Sequence, residues 1–169
     1  MTDVNPKKFY PVSWEELHRN SKALAWRLLD LGPWKGMVAV TRGGLVPAAI
    51  VARELELRVI ETVSIVSYQS DGAGPQRDAE AKVVKAAANV GDGTGWLVVD
   101  DLVDTGCTVD VLRRSLPKAH FAAVYAKPLG RPLIDTFVTE VSQDTWIYFP
   151  WDIDLQFSQP IAAQNKRPE

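Results

Sequence analysis

Three carboxylates stand close together in this chain, where a short apolar run ends. Leu97–Val99 is apolar and partly β-branched, which is typical of a buried strand. Asp100 and Asp101 follow it directly, and Asp104 comes a little further on. Carboxylates at a strand end can hold ribose hydroxyls or a hydrated magnesium ion. Asp is also an ordinary turn residue, so an acidic turn is the alternative for each residue taken alone.

Small and hydroxyl-bearing residues come next, in the order Thr105, Gly106, Cys107 and Thr108. Such a loop allows backbone N–H groups to converge on an anion. A helix is predicted from Thr108 to about Leu116, and its N-terminus would add a partial positive charge. The order of strand, acids, small-residue loop and helix favours a binding site over a simple turn.

A second polar cluster also follows a predicted strand. Arg42, Gly43 and Gly44 come after the strand predicted over Met37–Val40. An arginine with five donors beside two glycines suits a diphosphate. The alternative is a surface arginine in a strand–turn–helix connection. Loops at the carboxyl ends of neighbouring parallel strands share one crevice, which favours the binding interpretation.

A lysine and a group of aromatic residues could contact a flat ligand. Lys127 follows the strand predicted over Phe121–Tyr125. It is either a donor in a site or a solvated lysine before a proline turn. Trp146 and Trp151 bound an aromatic segment. Such aromatics more often belong to a core, and stacking on a nucleobase is the functional alternative.

The remaining pattern predicts helices that alternate with strands. A capping box at Ser13–Glu16 begins a helix that Gly32-Pro33 ends. Tyr68–Glu80 is a long polar loop of the kind that forms lids or is disordered. Further elements are a helix from Pro47 to about Leu55 and strands over Val59–Ser67 and Phe137–Val141. This alternation indicates an α/β domain with a parallel sheet flanked by helices.

The bulk composition is that of one globular domain. The chain has 169 residues, of which 46% are hydrophobic, and this suffices for a full core. A net charge of −2 and a sequence pI of about 5.7 argue against a nucleic-acid partner. One cysteine excludes an internal disulfide and fits a reducing compartment. Without a signal peptide or a membrane-spanning apolar run, a cytoplasmic location is expected.

The run Trp96–Thr108 resembles the phosphoribosyl diphosphate signature of the type I phosphoribosyltransferases, with Cys107 where the second loop glycine is usual. The resemblance implies a type I phosphoribosyltransferase fold, an α/β domain with a parallel sheet flanked by helices and a small hood. It implies a single domain over residues 1–169. The core would span about 12–127 and the hood mainly about 128–160, followed by a polar tail at 164–169.

Further motifs are similar to those of the family members that act on 6-oxopurines. They run in the same order from about Val12 to Phe157: Trp34-Lys35-Gly36, Arg42–Pro47, Ala52–Leu55, Ala126–Pro132 and Thr145–Asp152. This implies purine salvage, in which the 5-phosphoribosyl group moves from phosphoribosyl diphosphate to xanthine, guanine or, less readily, hypoxanthine. It also implies Mg²⁺ as cofactor and a homotetramer, and it leaves a weak association with the inner membrane face open.

The resemblance also implies roles for individual residues. Asp104 would face the purine N7 and act in catalysis together with Arg77 of the polar loop, and Asp101 would contact the metal. Tyr148 stands where the family usually has a glutamate, and the family's cis peptide would join Arg42 to Gly43. The phosphoribosyl diphosphate ligands would be Arg42, Gly43, Gly44, Asp100, Asp101, Asp104, Thr105, Gly106, Cys107 and Thr108. The purine contacts would be Lys127, Trp146, Ile147, Tyr148 and Asp152.

A different class of protein shares this fold, namely regulators that sense phosphoribosyl diphosphate and bind nucleic acid. Such regulators can keep the ribose-phosphate loop, so the signature alone does not separate them from enzymes. A regulator needs a basic surface or an added DNA-binding segment. This chain is mildly acidic and has little length for a further domain, so its sequence favours the enzyme.

Overall fold

The computed structural model describes residues 8–68 and 80–153. Arg77, most of the predicted polar loop and the polar tail therefore lie outside the described residues. Short 3-10 helices occur at Leu29–Leu31, Arg131–Leu133 and Pro150–Asp152. The longer elements are, in chain order, β1 (Lys8–Pro11), α1 (Trp14–Leu28), β2 (Gly36–Thr41), α2 (Leu45–Glu54), β3 (Ile60–Tyr68), β4 (Glu80–Lys85), β5 (Trp96–Val103), α3 (Cys107–Ser115), β6 (His120–Ala126), β7 (Thr136–Glu140) and β8 (Thr145–Tyr148).

The main sheet has the strand order β4-β3-β2-β5-β6-β7. Every neighbouring pair from β3 to β7 is parallel, whereas β4 is antiparallel to β3 at one edge. The predicted parallel α/β architecture is confirmed. Because β2 lies between β3 and β5, the loops after β2 and β5 leave the same edge of the sheet, side by side.

Hydrophobic side chains cover both faces of the sheet, as expected for central parallel strands. Along β2, Met37 and Ala39 pack into one cluster with α1 and α2, whereas Val38 and Val40 pack into the other with α3. This alternation follows from the two-residue period of a strand. The sheet is therefore held rigidly from both sides, and its carboxyl-terminal edge is a fixed platform for the loops that follow.

A second, two-stranded parallel sheet joins the N-terminal β1 to β8. From here on, the name hood means β1, β8 and the turn at Pro150–Asp152; β7, which falls within the range 128–160 expected for a hood, belongs to the main sheet. Helix α1 starts next to it, where the Ser13 hydroxyl accepts the Glu16 N–H at 3.1 Å. The expected capping box is only half formed, because the Glu16 carboxylate accepts the Tyr10 hydroxyl of β1 instead. This contact ties the hood to the first turn of α1.

Two local features differ from the sequence-based expectations. Strand β5 continues to Val103 and pairs with β6 as far as Ala126, so Asp100 and Asp101 lie within the strand and not after it. The cis peptide expected between Arg42 and Gly43 joins Thr41 to Arg42 instead. Among the described residues, none of the helices combines the length and the apolar character needed to cross a membrane.

Candidate active site

Three loops meet beyond the carboxyl ends of β2, β5 and β6. They span residues 41–45, 103–107 and 126–131, and each one carries residues expected to bind ligand. The β5 and β6 loops touch directly. A Cβ on Gly130 would lie 2.8 Å from the Asp104 carbonyl oxygen and 3.1 Å from the Gly106 nitrogen. Only glycine allows this approach, which brings Asp104 and Lys127 together.

Asp100 and Asp101, which we call the acid pair, are half-buried near the end of β5. Asp100 Oδ1 accepts the Asp101 N–H at 2.9 Å, and Asp101 Oδ1 accepts the Leu102 N–H at 2.7 Å. Burial raises the pKa of Asp100 well above its usual value, and the neighbouring Asp101 carboxylate raises it further. Burial also raises the pKa of Asp101, with a smaller contribution from the charge of Asp152. The acid pair thus favours any cation that comes near.

Gly43 brings the β2 loop against the acid pair. A Cβ at Gly43 would lie 2.2 Å from Asp101 Oδ2, and a Cβ at Gly44 would lie 2.5 Å from the Val99 carbonyl oxygen. Neither position has room for a side chain. The two glycines therefore hold the β2 loop and the Asp101 carboxylate in contact at one point of the crevice.

Arg42 is exposed at the tip of the β2 loop. The Gly44 N–H donates to the Val40 carbonyl at 2.8 Å, and the Leu45 N–H donates to the Arg42 carbonyl at 3.1 Å. The Gly44 amide is therefore engaged within the turn. The Arg42 guanidinium is the part of this loop that can reach an anionic ligand through several donors.

The residues 104–108, which we call the phosphate loop, turn directly into α3. Gly106 is the N-cap residue of α3 and has φ of 90°, a left-handed conformation that glycine adopts at little cost. Cys107 is the first residue of the helix, so the unusual side chain stands where no left-handed backbone is required. The first N–H groups of α3 have no partner within the helix. Together with the helix dipole they form an anion site.

Lys127 and Asp104 form an ion pair between the β5 and β6 loops. Lys127 Nζ lies 2.8 Å from Asp104 Oδ2, and the lysine side chain is 6% exposed whereas that of Asp104 is 48% exposed. Gln143 Nε2 donates to Asp104 Oδ1 at 2.7 Å. A buried ammonium needs such a partner, because an unpaired charge in a protein interior is strongly unfavourable. Lys127 is therefore not a solvated lysine, and its role as a site residue stays a prediction.

Strand β8 presents the aromatic residues of the hood. Trp146 and Tyr148 are exposed on one face, whereas Ile147 is buried in the core on the other. The Tyr148 ring stacks on Phe9 of β1, with 5.7 Å between ring centroids. Trp146 thus offers a flat apolar surface. Ile147 can offer a ligand only its backbone groups.

Asp152 lies at the end of the hood and accepts the Phe149 N–H at 3.1 Å. Its charge acts on Asp101, so the hood and the acid pair belong to one electrostatic environment. Of the expected site residues, Arg77 lies outside the described residues. The others lie at the carboxyl-terminal edge of the sheet or on the hood.

Sequence reasoning missed three residues around this site. Gln143 contacts Asp104, Gly130 allows the β5 and β6 loops to meet, and Phe9 supports Tyr148. Gly130 belongs to a motif already noted, and its position after a strand was a usable signal. Gln143 and Phe9 carried none, because their roles depend on contacts distant in the sequence.

The described residues contain no group of three or more His, Cys, Asp or Glu side chains that could hold a metal ion. Mg²⁺ keeps several waters and usually binds through one or two carboxylates together with substrate phosphates. The acid pair supplies such carboxylates, and burial, which raises the pKa of both, makes nearby positive charge favourable for their ionised forms. A magnesium ion carried by a diphosphate would supply that charge.

Comparison with known proteins agrees with this geometry. The family model described as phosphoribosyl transferase domain matches residues 13–158. The chain belongs to the phosphoribosyltransferase family. Its loops after β2 and β5 and its parallel sheet are thus those of a glycosyltransferase, and the expected fold class is confirmed.

Two relatives are similar over nearly their whole length. The xanthine-guanine phosphoribosyltransferase of Desulfotalea psychrophila is 58% identical over 161 residues, which cover 95% of this chain and 97% of the relative. That of a Ruegeria species is 55% identical over 165 residues, 94% of each chain. The crystal structure of a purine phosphoribosyltransferase from Pyrococcus horikoshii shares the fold, with a TM-score of 0.70 and 23% identity over 90% of this chain and 99% of that one.

The acid pair predicts a specific dependence of stability on pH. The pKa of Asp100 is raised in the folded state, so its burial lowers the free energy of unfolding increasingly as pH rises above about 4, the unfolded value. Asp100→Asn removes this effect and keeps the oxygen that accepts the Asp101 N–H. We expect a Tm at neutral pH higher by about 2 °C or more, roughly 1 kcal/mol for a chain of this size, and a difference that closes towards pH 4.

The matched control is Asp110→Asn, which removes an exposed carboxylate paired with Arg114 on α3. An exposed pair of this kind contributes about 0.3–0.5 kcal/mol. The Tm of Asp110→Asn should therefore fall slightly, whereas that of Asp100→Asn should rise. Thermal melts of both variants over a pH series measure the effect. An unchanged or lower Tm of Asp100→Asn at neutral pH would show that the acid pair does not destabilise the fold.

Proposed function

We propose that this phosphoribosyltransferase acts in purine salvage and transfers the 5-phosphoribosyl group of phosphoribosyl diphosphate to a 6-oxopurine. The products are the nucleoside 5′-monophosphate and pyrophosphate. One observation carries the proposal: a buried ammonium, Lys127, is paired with Asp104 at the start of the phosphate loop. A donor for a purine 6-oxygen therefore lies next to an anion site.

The loops at the sheet edge suit the sugar end of the reaction. The α3 N-terminus and the side chains of Thr105 and Thr108 would hold the 5-phosphate, and the acid pair would hold the ribose hydroxyls. Substitution at ribose C1 increases negative charge on the leaving diphosphate. Arg42 is placed to stabilise that charge with its fixed donors.

Magnesium is the cofactor that these residues fit. When bound, it neutralises charge on the diphosphate and holds it in place. Asp101 is the residue we assign to the ion or to one of its waters, because its carboxylate is packed against Gly43 of the β2 loop. Asp100 lies beside it and would contact the ribose.

The purine end lies between the phosphate loop and the hood. Trp146 would stack on the base, Lys127 would donate to the 6-oxygen and Asp104 would accept from N7. The backbone of Ile147 and the side chains of Tyr148 and Asp152 would lie at the 2-substituent edge. Tyr148 offers a neutral hydroxyl instead of a carboxylate, so the 2-amino group of guanine has a weaker acceptor. We therefore expect xanthine to be at least as good a substrate as guanine.

The remaining proposals concern assembly and location. We propose a homotetramer in the cytoplasm. Exposed Trp26 of α1 and exposed Leu29 of the following 3-10 helix support contacts between copies, since together with Leu55 they line a groove on the outer surface. The lone Cys107 fits a reducing compartment. A monomer in sedimentation velocity at micromolar concentration would contradict the tetramer.

The nucleic-acid-binding regulator is not favoured, because the relatives are enzymes by name and the chain is acidic.

The direct test is a steady-state comparison of xanthine, guanine, hypoxanthine and adenine with phosphoribosyl diphosphate. We expect turnover of the three 6-oxopurines, complete loss of it when a chelator removes magnesium, and recovery when magnesium is restored. Release of pyrophosphate and formation of the monophosphate are both measured. Full activity in the chelator would refute the magnesium proposal, and no turnover of any purine would refute the function.

Gly43→Ala tests the contact between the β2 loop and Asp101. The new methyl group would displace the Asp101 carboxylate, and a shift of about 1 Å can reduce the rate about 100-fold. We expect kcat/KM for phosphoribosyl diphosphate to fall at least about 10-fold, with little change in KM for the purine. The control is Gly91→Ala, where φ is +57° but nothing lies within 4 Å of the new Cβ. Gly91→Ala should lose about 1 kcal/mol of stability and keep wild-type kinetics. Equal kinetics in both variants would contradict the assignment of Asp101 to diphosphate and metal binding.

Lys127→Ala tests the choice of base. An ammonium only donates, so it suits a 6-oxygen and leaves adenine's 6-amino group unmatched. Sites built around a buried polar match reject the wrong group by about 10⁴-fold. We expect negligible use of adenine by the wild type, and in the variant a higher KM for 6-oxopurines and a smaller gap to adenine. Lys118→Ala removes an exposed lysine paired with Asp92 and should change neither. Comparable kcat/KM for adenine and guanine in the wild type would end the argument from Lys127.

A further inference from the structure

The side chain of Gln143 connects three segments around the site. Its Oε1 accepts the Leu129 N–H at 3.0 Å, and its Nε2 donates to Asp104 Oδ1 at 2.7 Å. Gln143 itself lies between β7 and β8, three residues before Trp146. One side-chain amide therefore joins the β6 loop (residues 126–131), the phosphate loop and the segment that leads into the hood.

The orientation of this amide is fixed by its partners. A backbone N–H can only donate, so the group that faces Leu129 must be the amide oxygen. The nitrogen is then directed at Asp104, and its contact with the carboxylate is a charge-assisted hydrogen bond. The segment is itself held in place, because the Ser142 hydroxyl contacts Asp144 and Thr145, each at 2.7 Å.

The two oxygens of Asp104 have different partners. Oδ2 contacts Lys127 Nζ, whereas Oδ1 contacts Gln143 Nε2. A 6-oxopurine that takes the Lys127 ammonium with its 6-oxygen would release Oδ2. The contact with Gln143 does not involve the atoms that the purine needs, so it can persist when the base is bound.

We infer that Gln143 is a positioning residue, which holds Asp104 by Oδ1 so that Oδ2 faces the purine N7 once Lys127 has turned to the 6-oxygen. The inference rests on the proposed function of Asp104 at N7. It goes beyond that function by assigning the orientation of the carboxylate to a residue outside the phosphate loop. It also links this orientation to the segment that carries the stacking surface of Trp146.

Two substitutions separate this role from support of the loop. Gln143→Glu keeps the size of the side chain and an oxygen for the Leu129 N–H, but it directs a second carboxylate at Asp104. Gln143→Ala removes both contacts. If Gln143 only supported the loop, Gln143→Glu would be the milder variant. If it positions Asp104, Gln143→Glu in mildly alkaline buffer should be at least as impaired as Gln143→Ala.

The expected size of the effect follows from misplacement of a catalytic group. We expect kcat to fall about 10- to 100-fold in both variants, with KM for phosphoribosyl diphosphate within about twofold of the wild type. Asn89→Asp is the control for the added charge. Asn89 is exposed in the turn before β5, at the opposite edge of the sheet from Asp104, and this variant should keep wild-type kinetics. Thermal melts show that each variant is folded.

A double-mutant cycle with Asp104→Asn completes the test. Loss of a general acid–base group reduces kcat about 10²- to 10⁴-fold, and Gln143→Ala should add little in the Asp104→Asn background if it acts through Asp104. Two outcomes would overturn the positioning role of Gln143 and leave the role of Asp104 intact, provided that Asp104→Asn itself is impaired. Either the effects of the two substitutions on kcat add in the double variant, or Gln143→Ala alone keeps the wild-type kcat. Near wild-type kcat of Asp104→Asn would instead refute the proposed role of Asp104, and the inference with it.

Discussion

The ammonium of Lys127 is buried where β5 and β6 end, and most of the site depends on supplying it with a negative partner. A buried charge without a partner is far more unfavourable than any single contact in the fold is favourable. Asp104 supplies the charge, but it can reach Lys127 only because Gly130 and Gly106 let the two loops approach within van der Waals distance. The pairing of β5 with β6 as far as Val103 sets the position from which both loops start.

The acid pair at the other end of the crevice brings an excess of negative charge. Asp100 and Asp101 are half-buried beside each other, and burial raises the pKa of both, so a cation nearby would stabilise their ionised forms. A free diphosphate would add to the repulsion, whereas its magnesium complex reduces it. The two ends therefore favour ligands of complementary kinds. Under the proposed function, Lys127 would meet an acceptor oxygen on the base, and the acid pair would meet a metal-bound diphosphate.

The sequence predicted those parts of the fold that depend on local patterns. Apolar runs located β2, β3, β5, β6 and β7 to within a few residues, and the phosphate loop was recognised from its order of acids, glycine and threonines. Strands β1, β4 and β8 were missed, because β1 and β8 are short and stabilise each other across most of the chain, and β4 follows a polar segment. The role of Gln143 could not be predicted either, since it requires that Leu129 and Asp104 lie on either side of one amide.

The hood shows how a distant pairing can affect the choice of substrate. Phe9 stacks on Tyr148, and Glu16 of α1 accepts the hydroxyl of Tyr10, so β1 packs beside the exposed aromatic residues of β8 and is itself tied to α1. Tyr148 shares one face of β8 with Trp146, so the residue that we propose for the 2-substituent edge is held by packing against Phe9. The neutral hydroxyl of Tyr148 is a weaker acceptor for a 2-amino group than a carboxylate at that position would be. Under the proposed function, discrimination among 6-oxopurines would therefore rest on Asp152 and backbone groups at that edge, while discrimination against adenine would rest on Lys127.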